Sequence, residues 1–152
     1  MNREQLRAIQ EPMTERYRRH PEEALVTLRA TGTLGEGITC SIGMGRALAE
    51  AGLHPATGGD GLSLRSGDML LESLAACAGV TLRAVATSLE LEIETGTVHV
   101  EGDLDVRGTL AVSKEAPVGF SSIRLSFELD TDASDDELNT LLRLTERYCI
   151  VY

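Results

Sequence analysis

Apolar residues recur at helical spacing near the start of the chain. Leu6, Ile9, Met13 and Tyr17 fall among charged neighbours, which predicts an amphipathic helix over residues 2–19. Pro12 marks a restart or kink in it, and Pro21 follows its end. Two short β-rich runs come next, ALVTLRAT at 24–31 and EGITCSIGM at 36–44. The glycines of TGTLGEG between them suit a turn. Residues 45–66 read as a long loop holding His54-Pro55 and Gly58-Gly59-Asp60-Gly61. A loop of that length in a compact domain is often functional.

The stretch 68–90, DMLLESLAACAGVTLRAVATSLE, is apolar almost all round, the pattern of a buried helix. Strict alternation then sets Val98, Val100, Leu104 and Val106 on one face of a strand over 97–106. Thr97, His99, Glu101, Asp103 and Asp105 take the other face. Arg107-Gly108 is predicted to turn into a short strand at 109–112. A further strand over 122–130 points Ile123, Leu125, Phe127 and Leu129 inward. Ser134 with Glu137 three residues on is a capping box. It opens a helix to about residue 146 that buries Leu138, Leu141, Leu142 and Thr145. This order of elements predicts an α+β fold, an antiparallel sheet with one face covered by helices. Residues 1–23 read as a helical appendage and 24–152 as the main domain.

Composition narrows the function. The net charge of −10 opposes nucleic acid and anionic lipid, and 3% aromatic residues leave little for base stacking. The core must be aliphatic. The polar start MNREQLRAIQEP lacks the apolar segment of a secretory signal, and no apolar run approaches the roughly 20 residues of a bilayer span, so a cytoplasmic location is expected. His20, His54 and His99 are scattered without metal-ligand spacing, so no metal is expected. No dinucleotide fingerprint, P-loop or nucleophile elbow is present, and no cofactor is expected.

Three cysteines remain: Cys40, Cys77 and Cys149. In a reducing compartment they are free thiols or a redox pair. A cysteine within an apolar helix ordinarily serves as a small hydrophobe, and Cys40 in a strand fits that role. Cys77 has different company. Ser73 and Thr81 lie four residues to either side, a hydroxyl stripe able to hydrogen-bond a sulfur. A reactive thiol must be a thiolate, and a nearby cation would lower its pKa. Arg29, Arg46, Arg65 and Arg83 are candidates, with Asp68 or Glu72 to hold the arginine. Spacing does not choose among them.

The string GGDGLSLRSGDMLLESLAACAGVTL, Gly58 to Leu82, resembles the signature of the OsmC/Ohr family (osmotically inducible protein C and organic hydroperoxide resistance proteins). VEGDLDVRG, RLSFELD and the helix ending in ERYCIV resemble its later elements, so the resemblance covers about residues 24–152. It implies an intertwined homodimer with long central helices, sheets wrapped around them and active sites at the subunit interface. It implies reduction of organic hydroperoxides in oxidative stress defence, with Cys77 peroxidatic, Cys149 resolving and a dithiol such as a lipoyl group as reductant. Asp68 matches the acidic residue that opens the helix in many members. The best-known members carry Glu one place earlier, where this chain has Gly67. The family's activating arginine comes from a Gly-Arg segment of the first hairpin. Here that hairpin reads ATGTLGEG, which leaves Arg29 or Arg46 as substitutes. A non-catalytic protein holding an apolar small molecule at the dimer interface is the alternative.

Overall fold

The computed structural model describes residues 3–34, 40–42, 51–62 and 64–152. Helix α1 (Arg3–Arg19) runs through Pro12 and leads by a short 3-10 turn (Pro21–Ala24) into strand β1 (Leu25–Leu34). Strand β2 (Cys40–Ile42), a second 3-10 turn (Pro55–Thr57) and helix α2 (Ser66–Ser88) follow. Then come strand β3 (Thr95–Asp105), a single helical turn α3 (Val106–Thr109), strand β4 (Phe120–Asp130) and helix α4 (Asp135–Tyr148). The fold is α+β, with a four-stranded antiparallel sheet in the order β2-β1-β3-β4. Gly32, Thr33 and Leu34 of β1 pair antiparallel with Ile42, Ser41 and Cys40 of β2. The glycine-rich turn expected at 31–37 extends past the described residues.

The chain divides into two compact units. One comprises Met1–Leu28, Arg46–Met69 and Glu101–Ile123. Its core is Tyr17, Ala24 and Val106, with Met13, Val26, Ala56, Leu104 and Leu110 packed around them. The Tyr17 hydroxyl donates to the carbonyl of Ala56 at 3.0 Å, which satisfies the one polar atom this ring takes inside. Asp103 ties three strands together: Thr27 of β1 and Ser122 of β4 both donate to its carboxylate, at 2.6 and 3.0 Å. The Gly-Gly pair has a steric cause. Gly58 sits at φ 97°, and a Cβ on Gly59 would lie 1.7 Å from the carbonyl oxygen of Leu53.

The other unit comprises Arg29–Gly45, Leu70–Val100 and Arg124–Tyr152. Leu71, Leu82, Val98, Val100 and Leu141 are fully buried in it. Alanine and leucine favour the long helix α2, and Asp68 in its first turn suits the positive end of the helix dipole. Glu90 takes the left-handed conformation at φ 56°, and the Leu91 N–H closes back on the Ala86 carbonyl at 2.9 Å. That closure ends the helix. By length and composition α2 is apolar enough to cross a bilayer, contrary to expectation. Its Leu71, Leu74, Ala75, Ala78 and Leu82 are buried within the protein, as in a core helix. The Ser134–Glu137 capping box opens α4 as predicted.

Several expectations need correcting. Residues 109–112 form no strand. The Asp105 side chain accepts the Arg107 N–H at 3.0 Å and starts α3 instead. Asp105 is accordingly buried, not solvated, and the Arg107 guanidinium grips both its carboxylate oxygens. Helix α2 is not covered all round, since Leu70 and Val80 are exposed. Ile123 and Leu142, expected inside, are exposed, and Leu125, Phe127, Leu129 and Leu138 are only half-buried. The apolar faces of β4 and α4 leave an open cavity between them.

Candidate functional site: a thiol pair beside an apolar cavity

Cys77 lies midway along α2, and Cys149 caps the C-terminal end of α4. The fold of this unit brings the two cysteines close enough for each to act on the other's titration, and both are free thiols. Helix α4 ends here because Cys149 turns to an extended conformation (φ −70°, ψ 118°). The backbone N–H groups that follow are then released from the helix and available to an acceptor.

Burial pushes the Cys77 thiol up. Hydrogen bonds from the Cys149 thiol, the N–H groups of Val151 and Ile150, and the Thr81 hydroxyl outweigh it and hold Cys77 below the ordinary thiol value. Cys149 moves the other way. Burial raises it, the Val151 N–H opposes this, and the neighbouring Cys77 sulfur raises it further. The pair thus favours one arrangement, thiolate on Cys77 and thiol on Cys149, sharing a hydrogen bond. Among the described residues, the groups that lower Cys77 are four hydrogen-bond donors and none of them is charged.

Sequence anticipated an arginine in this role. Arg29 lies exposed on β1 and is not among the groups acting on Cys77. Arg46 falls outside the described residues. Asp68 is buried and forms an ion pair with Arg65, one of the four candidate arginines. The Arg65 Nε is poorly aimed for a hydrogen bond, so the contact is mainly electrostatic. Asp68 precedes Cys77 by nine residues on one helix, which is about 13.5 Å of rise and half a turn round. Its company is instead His54. Burial lowers the His54 pKa, Arg65 lowers it further, and Asp68 partly offsets both. The His54 Nδ1 accepts the Ala56 N–H at 3.0 Å, which leaves the proton of the neutral ring on Nε2. Arg83 donates to the Ile93 carbonyl at 2.7 Å, and one carboxylate oxygen of Glu72 is buried without a hydrogen-bond partner.

The hydroxyl stripe expected around Cys77 is half realised: Thr81 bonds the sulfur, while Ser73 is exposed. Sequence reasoning missed the two backbone donors. The only signal for them was that CIVY follows directly on a helix end.

A cavity of about 560 Å³ adjoins the pair. Leu125, Phe127, Leu129, Leu138 and Leu142 supply apolar walls, and Cys149 and Thr145 open into it. Its size and lining are those of a small-molecule pocket. As for metals, the side chains of His20, Glu22 and Glu23 converge, but all three are exposed. Glu23 pairs with Arg16, and His20 with Glu22 at 3.4 Å.

Residues 58–152 match the family model of OsmC-like proteins. No curated protein matches the chain. The fold is similar to that of an OsmC-like protein from Mycoplasma pneumoniae known from its crystal structure. The TM-score is 0.57 at 16% identity, over 84% of this chain and 82% of that one. The family match begins at the Gly58-Gly59 turn and takes in both cysteines of the pair, and the chain therefore belongs to the OsmC-like family.

Proposed function

We propose that the chain is a cysteine-based peroxidase that reduces organic hydroperoxides at the expense of a dithiol. The observation that carries this reading is a pair of neighbouring thiols whose surroundings shift them apart, Cys77 below and Cys149 above the ordinary thiol value. Only the thiolate is nucleophilic, and only a protonated neighbour has a proton to give. The Cys77 thiolate attacks the distal peroxide oxygen. An S–O bond forms as the O–O bond breaks, and sulfur is oxidised to sulfenic acid. The alkoxide leaves and takes a proton from the Cys149 thiol or from water. The Cys149 sulfur then attacks the sulfenic sulfur: an S–S bond forms, the S–O bond breaks, and the hydroxide that leaves takes a proton from solvent to become water. A dithiol of the lipoyl class returns both cysteines to thiols and is itself oxidised to a disulfide.

We place this chemistry in the cytoplasm, where free thiols persist. We also propose a homodimer. The exposed Val80 of α2, Leu89 just past its end and Tyr148 of α4 flank one groove and favour a second copy over solvent. The cavity beside Cys149 equally favours a second reading, an OsmC-like binding protein with inert thiols.

Peroxide treatment followed by peptide mass spectrometry separates the two. The peroxidase reading expects a Cys77–Cys149 disulfide and rapid consumption of cumene hydroperoxide, with consumption lost in Cys77→Ser. Equal, slow consumption by wild type and Cys77→Ser would sink it.

A further inference from the structure

The cavity has one polar side chain in its buried wall. Thr145 is 1% exposed, and its hydroxyl has no hydrogen-bond partner. It lies one helical turn before Cys149, which opens into the same space. A buried hydroxyl left unpaired is costly, so the arrangement calls for a ligand oxygen at that point. The facing walls, Leu125, Phe127, Leu129, Leu138 and Leu142, accept only an apolar body. Glu146 and Tyr152 are exposed lining residues, and the Tyr152 hydroxyl donates to the Glu146 carboxylate. They set a negative charge at the opening, on a protein whose net charge is already −10.

We infer that Thr145 and Glu146 make this cavity a site for neutral alkyl hydroperoxides and their alcohols, with Thr145 binding the ligand oxygen and Glu146 turning away anionic ones such as fatty-acid hydroperoxides. The chain of the ligand lies along β4 and α4. Its oxygen end sits at Thr145, beside the cysteine whose sulfur bonds Cys77. Charge selection follows from position: a carboxylate entering this mouth meets the like charge of Glu146, a repulsion that added salt weakens. The identity of the reacting ligand rests on the proposed thiol chemistry. Binding of the unreactive alcohol does not.

The test uses 1-octanol and octanoate as probes with the full chain, read by isothermal titration calorimetry or ligand-observed NMR. Octanol is expected to bind, and octanoate to bind at least roughly tenfold more weakly. Thr145→Val, nearly the same shape without the hydroxyl, should weaken octanol roughly three- to tenfold. Thr145→Ser should restore it, which a merely structural role would not predict. Glu146→Gln should narrow the gap between octanol and octanoate. Equal octanol affinity in wild type and Thr145→Val overturns the role of Thr145, and equal affinity for the two probes overturns that of Glu146. Failure of octanol to bind a protein that light scattering finds dimeric assigns the cavity to a second copy and overturns the site. Octanol binding without peroxide turnover upholds the site and removes the peroxidase reading alone.

Discussion

Replacing Thr81 by Val removes one of four donors to the Cys77 sulfur while keeping the side-chain shape. The two backbone donors and the Cys149 thiol remain, so activation should fall without disappearing. A hydrogen bond to an ionised group contributes about 1.5–3 kcal/mol, and sulfur is a weaker acceptor than oxygen, which places this one near about 1 kcal/mol. That is roughly a fivefold loss of thiolate at a pH below the thiol's midpoint. The sign follows from the charge state: losing a donor to the anion disfavours the anion. The Cys77 titration therefore moves up in pH, toward the ordinary thiol value. Iodoacetamide alkylation across a pH series, with Cys77 followed by peptide mass spectrometry, measures this directly and separates it from Cys40 and Cys149. Thr81→Ser keeps a hydroxyl and should stay close to wild type. The reasoning fails if the Thr81→Val profile overlays wild type, or if Thr81→Ser shifts as far as Thr81→Val.

Two further outcomes concern stability. The His54 Nδ1 can accept the Ala56 N–H only while unprotonated, and its folded pKa is depressed. Its contribution is thus fully present above the unfolded histidine value of about 6.5 and is lost as pH falls through that value toward the folded one. Melting temperatures at pH 7.5 and 5 should fall further for wild type than for His54→Asn, which keeps an acceptor and does not titrate; equal falls would remove His54 from the account. Gly108→Ala sets two effects against each other in α3. Helix propensity favours Ala by about 1 kcal/mol, but the new Cβ would lie 2.3 Å from the backbone carbonyl oxygen of Pro117, which cannot swing aside. Overpacking of that kind costs about 1–3 kcal/mol, so urea denaturation should show net destabilisation, and a variant as stable as wild type would contradict it.

The elements legible from sequence were those whose signal is local. The capping box at Ser134, the alternation through Val98 and Val100, and the apolar run around Cys77 each carry their cause within a few residues. The α3 turn was misread because its cause is a side chain gripping the backbone two residues on, at Asp105, where alternation had assigned an exposed strand position. At the thiol pair, the order of the two cysteines was readable and so was the Thr81 hydroxyl. The activating groups were not, because half of them are backbone N–H groups, which no residue identity encodes. Spacing left four arginines and two carboxylates open around Cys77; the structure pairs Asp68 with Arg65, beside His54. Their neighbour His54 comes from a loop more than ten residues before either, and spacing along the helix carries no information about it.

Ile150 and Val151 are held to Cys77 through an anion. Whatever discharges that sulfur, whether proton, alkyl group or disulfide, weakens it as an acceptor for both N–H groups, and Val151 keeps Cys149 as a second acceptor. The backbone after α4 is therefore linked in part to the charge of a side chain more than seventy positions earlier in the chain. Backbone amide exchange at residues 150 and 151 becomes a reporter of the oxidation state of Cys77.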